Sequence, residues 1–274
     1  MTATTNTLPP SAIERLLARD RRLIAAALAL LVAVAWSYLV LLSRQMGAET
    51  PAMASMPGMP DMGQAPSTGG TAWRSFALAT LMWWTMMVGM MVPSAAPMVL
   101  LFGNVQRRQL ASESPRLRVA LFTAGYLACW GVFSLFAAGL QGIFTQVGLL
   151  ASMNLKVAAP VGAAFVALAG VYQLTPLKNV CLRGCRSPAE FLSSHWRRGN
   201  AGALRMGVEH GFYCVGCCWL LMGLLFVVGV MSLIWVAVIA VVVLLEKLVP
   251  YGEVMAKVGG ITLLLLAAYL VITG

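Results

Sequence analysis

The sequence predicts an all-α, polytopic integral membrane protein with about seven transmembrane helices and its N-terminus inside. Three observations carry that reading. Of the 274 residues, 60% are hydrophobic and 10% charged, against about 45 to 50% and about 25% in soluble domains, which excludes an ordinary soluble enzyme. The apolar residues gather in seven runs approaching the roughly 20 residues that a helix needs to cross lipid, where the backbone finds no outside hydrogen-bonding partner. The basic residues lie in short tracts between those runs, so the +10 net charge reads as a topology signal and not as a nucleic-acid surface.

Residues 1–22 are read as a cytoplasmic segment and residues 23–42 as a membrane anchor helix. That run is long for a signal peptide and lacks a small-residue cleavage site, so it is taken as retained. Residues 43–72 form an external Met/Pro/Gly-rich loop, and residues 73–274 a six-helix membrane domain with basic cytoplasmic loops. Its apolar runs are residues 76–102, 119–141, 155–174, 206–228, 231–249 and 258–272. Pro93 and Pro97 predict a kink or break near residues 92–97, because each removes a backbone donor and crowds the preceding turn. Gly207 and Gly211 have the G-x-x-x-G spacing that permits close backbone approach, and Gly162, Ala163, Ala167 and Gly170 serve the fourth run similarly. The fifth and sixth runs almost touch in sequence and predict a tight helical hairpin.

Lys and Arg set orientation, since they are retained on the cytoplasmic side. With the N-terminus inside, only Arg44, Arg74 and Lys156 of the 19 basic residues fall outside. The six Cys lie mostly within apolar segments, unlike the dense framework of a small secreted domain.

Methionine is distributed unevenly: most of the 17 Met lie between Met46 and Met98. Met53, Met56, Met59 and Met62 form a strict M-x-x-M series in the external loop. Such a loop has no core to pack, so thioethers there point to Cu(I), with low-complexity linker composition as the alternative. On the next run, Met82, Met86 and Met90 share one helical face, while Met87 and Met91 share the adjoining one. They are read as soft ligands or as flexible core fillers.

The fifth run carries the sharpest pattern, Glu209-His210-Gly-Phe-Tyr-Cys214-Val-Gly-Cys217-Cys218. Measured from His210, Cys214 is i+4 and Cys217 i+7, so an imidazole and two sulfurs share a stripe, with Cys218 beside them. Nitrogen and sulfur donors in a membrane suit Cu(I), or Zn(II) where a tetrahedral set is completed. Thiol redox chemistry and packing are the rival readings, and the lone Cys129 is read as packing. Cys181 and Cys185 sit in a basic inner loop with His195 and are a candidate inner metal site, although C-x-x-x-C is looser than zinc-knuckle spacing. Glu209 and Glu246 are expected to pair or gate near the inner helix ends, with Arg205 or Lys247 as partners.

The segments MWWTMMVGMMVPSAAP (Met82 to Pro97), YQLTPLK (Tyr172 to Lys178), Cys181, CRSP (Cys185 to Pro188) and GVEHGFYCVGCC (Gly207 to Cys218) together resemble a bacterial family of uncharacterised predicted metal-binding integral membrane proteins. The likeness covers residues 73–274 and implies a polytopic membrane protein with a metal site, without implying a reaction. The Gly207 to Cys214 stretch also resembles helix motifs of membrane thiol conductors and of nickel or copper permeases.

The expected function is soft-metal binding, with Cu(I) as the ion and zinc as a second candidate, in copper transport or delivery to a membrane metalloenzyme. The lipid bilayer and a metallochaperone or metalloenzyme are the expected partners, with no nucleic acid and no catalytic residue, in a bacterial inner membrane. No nucleotide-binding motif appears. A membrane thiol-disulfide electron conductor and a non-transporting assembly factor are the alternatives.

Overall fold

The computed structural model describes residues 12–54, 69–108, 115–151, 156–157, 159–230 and 232–273. Apart from two paired dipeptides, its regular structure is helical: α1 (Ala12–Ala54), α2 (Gly69–Arg108), α3 (Pro115–Gln146), α4 (Ala159–Leu174), α5 (Pro176–Arg186), α6 (Pro188–His195), α7 (Gly199–Gly223), α8 (Leu225–Val228), α9 (Leu233–Leu248) and α10 (Gly252–Thr273). Between α3 and α4, β1 (Leu150–Ala151) pairs antiparallel with β2 (Lys156–Val157), in the register Leu150 to Val157 and Ala151 to Lys156. Helix α1 extends through Met53, while Met56, Met59 and Met62 lie outside the described residues.

Proline marks the helix starts that shape the centre of the molecule. Thr175 precedes Pro176, whose ring disfavours helical backbone at that position. Thr175 is extended, at φ −74° and ψ 148°, and its side chain caps α5 by accepting from the Lys178 amide. Helix α5 therefore leaves α4 at a bend of 67°. Pro188 likewise stands in the first turn of α6, without a side-chain cap from Ser187, at a position where its missing N–H would have had no helical acceptor.

Among the described residues, five helices are long and apolar enough to cross a membrane, or up to six if the bent α4–α5 pair is one span. That is fewer than the expected seven, which these lengths do not confirm. Helices α4 and α9 have 16 residues each, which is roughly 24 Å at about 1.5 Å per residue, short of a bilayer core of about 30 Å.

Of the expected kink or break in α2, the break is absent: the helix runs continuously through Pro93 and Pro97. Neighbours supply what proline removes. Pro93 cannot donate to the Gly89 carbonyl, which instead accepts from Trp36 Nε1 on α1 at 3.3 Å. Such a substitute lets proline persist inside a buried helix.

Helix α7 lies against α3 on one side and α5 on the other, α2 packs on α1 and α3, and α4 pairs with α10. Glycines set the closest approaches. A Cβ on Gly207 would strike the Phe122 carbonyl oxygen, and one on Gly125 the Leu204 carbonyl oxygen. The expected tight hairpin between the fifth and sixth runs is replaced by the short α8 and a turn at Gly229 with φ 100°. Helix α9 consequently lies chiefly against α2 and α10. Gly207→Ala should destabilise the bundle by about 1–3 kcal/mol, the cost of overpacking a core against unyielding backbone. Gly139→Ala is the control, with nothing within 4 Å of the added carbon. Thermal unfolding of the two purified variants checks this; equal midpoints would contradict the α3–α7 contact.

Candidate metal centre

Three helices bring soft donors together at the middle of the molecule, and a fourth adds a cation. From α7 come Cys214, Cys217 and Cys218, all buried, at i, i+3 and i+4 on one face. Cys217 Sγ and Cys218 Sγ turn back to the Cys214 carbonyl, at 3.1 and 3.0 Å. From α5 comes Cys185, whose Sγ is 4.0 Å from Cys217 Sγ. Cys181, one turn before Cys185, packs over Gly216, where a Cβ would stand 2.8 Å from its sulfur. Tyr172 Oη donates to the Gly216 carbonyl and ties the end of α4 to the same turn of α7.

Helix α2 contributes Met91, whose Sδ lies 3.9 Å from Cys218 Sγ. Met82, Met86 and Met90 are buried in the same apolar cluster as the three α7 cysteines. The adjoining face of α2 is therefore the one that touches a thiol. Helix α9 contributes Lys247, with Nζ 3.0 Å from Cys214 Sγ and 3.1 Å from Ser94 Oγ. Tyr126 Oη completes the surround at 3.0 Å from Cys214 Sγ.

At about 2.3 Å per metal–sulfur bond, tetrahedral thiolates stand roughly 3.8 Å apart. The sulfur separations of 4.0 and 3.9 Å are near that value. Among the described residues no three His, Cys, Asp or Glu side chains already form a closed ligand group. The reason is visible in the contacts: two thiols point back at a carbonyl, and an ammonium stands against Cys214. A χ1 change would re-aim a cysteine, since staggered rotamers are alternatives of similar energy. All six cysteines are free.

Lys247 is 6% exposed, and among the described residues no carboxylate lies within ion-pair distance of it. A buried ammonium in this setting is costly unless compensated, and here the group facing it is a thiol that can ionise.

Glu246 does not pair with its neighbour Lys247, because adjacent helical residues point about 100° apart. It faces the other way, to Lys178 Nζ at 2.7 Å and Gln173 Nε2 at 2.9 Å. Glu209 pairs with the expected Arg205, and also with Arg197, each at 3.2 Å. His210 is buried in an aromatic box, 6.0 Å from the Phe122 ring, 5.8 Å from Tyr126 and 5.3 Å from Phe191. Its Nδ1 has no hydrogen-bond partner. Cys129 Sγ donates to the Val208 carbonyl at 3.3 Å and fills the space over Gly211, a packing role.

Sequence reasoning thus misses Lys247, Met91 and Tyr126 as neighbours of the thiols and sets Cys185 apart from them. A usable signal existed for Lys247, an ionisable residue within an apolar run. Residues 80–270 match the model of the PpoB2 family, described as a copper chaperone. No curated protein and no solved structure matches the chain.

Proposed function

The chain belongs to the PpoB2 copper chaperone family, and we propose that it binds Cu(I) as cargo at the thiols between α5 and α7 and delivers it to a membrane metalloenzyme. The observation that carries this reading is the convergence of Cys185, Cys214, Cys217 and Cys218 from two helices, beside the thioether of Met91 and the ammonium of Lys247. Thiolate and thioether sulfur suits Cu(I).

Charge selects the ion. Cu(I) held by two thiolates carries one net negative charge, which the Lys247 ammonium balances. A divalent ion with the same two thiolates and the same ammonium leaves one net positive charge in a buried site, a poor match. The family supports copper, and this balance favours the monovalent ion over zinc.

In this reading the chain spans a bacterial inner membrane with its N-terminus inside, supported by the five long apolar helices and the bias of Lys and Arg. Met53, Met56, Met59 and Met62 collect copper outside. The buried thioethers of Met82, Met86 and Met90 line its way to the cysteines. His210, one turn before Cys214 and with an unpartnered Nδ1, joins the coordination as the ion moves. Glu209 and Glu246 hold helix ends in place through their cations. No catalysed reaction is assigned.

X-ray absorption at the copper edge of Cu(I)-loaded protein tests the reading. A sulfur-dominated first shell is expected, weakened in Cys217→Ser, and His210→Ala should lower affinity by about tenfold, typical of a group supporting the first ligands. A shell of only nitrogen and oxygen would return the cysteines to packing. Normal copper binding in His210→Ala together with a Cys217 mixed disulfide trapped on a partner would favour thiol electron transfer instead.

A further inference from the structure

A cleft of about 280 Å³ lies between α5, α6 and α7. Its wall includes Gly184 and Tyr213, the residues immediately before Cys185 and Cys214. Successive helical residues point about 100° apart, so α5 and α7 present thiols to one side and cleft wall to another. The Tyr213 ring is seated on Gly184, where a Cβ would stand 2.8 Å from it. The cleft and the thiol cluster thus share the α5–α7 contact. Arg183, Glu190 and Ser194 line the cleft and are exposed, so it opens at the surface, on the side that the Lys/Arg bias places inside.

His195 lines the same cleft, in a fixed orientation. Its ring stacks on Phe191 at 4.7 Å and meets the Tyr213 ring edge-on at 6.1 Å. Nδ1 lies 2.8 Å from Ser194 Oγ and 3.3 Å from the Phe191 carbonyl. These neighbours settle the tautomer. A carbonyl only accepts, and the Ser194 hydroxyl already donates to the Glu190 carbonyl at 2.7 Å, so Nδ1 carries the proton. Nε2 keeps its lone pair and has no hydrogen-bond partner among the described residues. Donation from one ring nitrogen to a carbonyl is the arrangement that orients an imidazole to ligate a metal through the other.

The remaining groups suit Cu(I) poorly. Arg183 is paired with Glu253 at 2.9 Å, and Ser187, Glu190 and Ser194 offer hard oxygen. A second soft ligand must come from another molecule, which makes an ion held here a transfer intermediate.

We propose that this cleft is the exit port of the copper site, with His195 Nε2 as a transient Cu(I) ligand that passes the ion from the thiols to a soft donor on the acceptor. This rests on Cu(I) being held at the thiols. In the exchange a Cu–S bond to the thiol cluster breaks as the Cu–Nε2 bond forms. Copper stays monovalent, and the thiolate left behind takes up a proton from water.

The test uses the full chain, purified in detergent, loaded with Cu(I) and mixed with a chromophoric Cu(I) chelator as acceptor. The rate of colour gives transfer, and competition at equilibrium gives affinity. His195→Asn places an amide N–H where Nδ1 stands and lacks the Nε2 lone pair. It should slow transfer at least about tenfold, as much as the loss of a group supporting a metal ligand costs, with the affinity of the thiols unchanged. His195→Met gives up the ring and its hydrogen bonds but restores a soft donor, so it should keep most of the wild-type rate. A wild-type rate in His195→Asn, or equal slowing in both variants, would overturn the proposal. The imidazole nitrogen NMR spectrum of the metal-free protein needs no variant: His195 should be protonated at Nδ1, and protonation at Nε2 instead would overturn the proposal too. Wild-type protein that takes up no Cu(I) in the loading step would sink the copper reading and the port with it, whereas normal loading with a rate independent of His195 would sink the port alone.

Discussion

Lys247→Met should lower Cu(I) affinity by at least about 100-fold, equivalent to about 2.7 kcal/mol. The ammonium stands 3.0 Å from Cys214 Sγ in a site closed to water. Removing it leaves a copper bis-thiolate with its negative charge uncompensated, a situation that costs several kcal/mol when buried. Methionine is similarly unbranched and apolar, so packing should survive, and its thioether adds a soft donor that works against the predicted loss. Lys247→Arg keeps the charge and should recover most of the affinity. Competition against a chromophoric Cu(I) chelator reads both variants, and parallel titrations with zinc separate charge balance from general damage. Zinc binding should hold or strengthen in Lys247→Met while Cu(I) binding falls. Equal losses for the two ions would make Lys247 merely structural, and unchanged Cu(I) affinity would remove it from the site.

Lys178→Met should destabilise the fold by about 3–5 kcal/mol, the usual consequence of removing one partner of a buried ion pair. The pair joins α5 to α9, with side-chain exposures of 0% and 3%, and Gln173 alone would remain to face the Glu246 carboxylate. Lys178→Met/Glu246→Gln removes the stranded charge and should be more stable than the single variant. Thermal unfolding in detergent checks the order. A double variant that loses the sum of both single losses would contradict coupling across the pair. Because this pair anchors the short, bent α5, it also holds Cys185 over α7, and the single variant should lose copper together with stability.

The helical class and the positions of most helices were legible because apolar runs and the scarcity of charge are properties of composition and spacing. The number of spans was not, because α4 and α9 are mostly apolar yet only 16 residues long, and their ends are set by tertiary turns. Pro93 signalled a kink or break, yet the helix runs on, and the indole of Trp36, 53 positions before Gly89, takes up the Gly89 carbonyl. No local pattern contains that partner.

The cysteine stripe on α7 was readable from helical spacing alone. Its completion was not: Cys185 reaches Cys217 only because Pro176 and the Thr175 cap turn α5 back through 67°. The choice between the Met90 and Met91 faces of α2 likewise depends on how that helix is rotated against α7, which its own sequence leaves open. Glu246 and Lys247 looked like one another's partners, and helical geometry sends them to different neighbours. His210 shares the cysteine stripe, but aromatic rings from α3 and α6 enclose it.

The central claim is that the thiols between α5 and α7 are the principal copper site. One competition titration tests it directly, with Cu(I) offered to wild-type protein, to Cys214→Ser/Cys217→Ser and to the quadruple replacement of Met53, Met56, Met59 and Met62 by Leu. Loss of the tightly held copper in the double cysteine variant, with its retention and only partial weakening of total uptake in the methionine variant, is the predicted result. Tight copper retained by the cysteine variant and lost from the methionine variant would contradict the account.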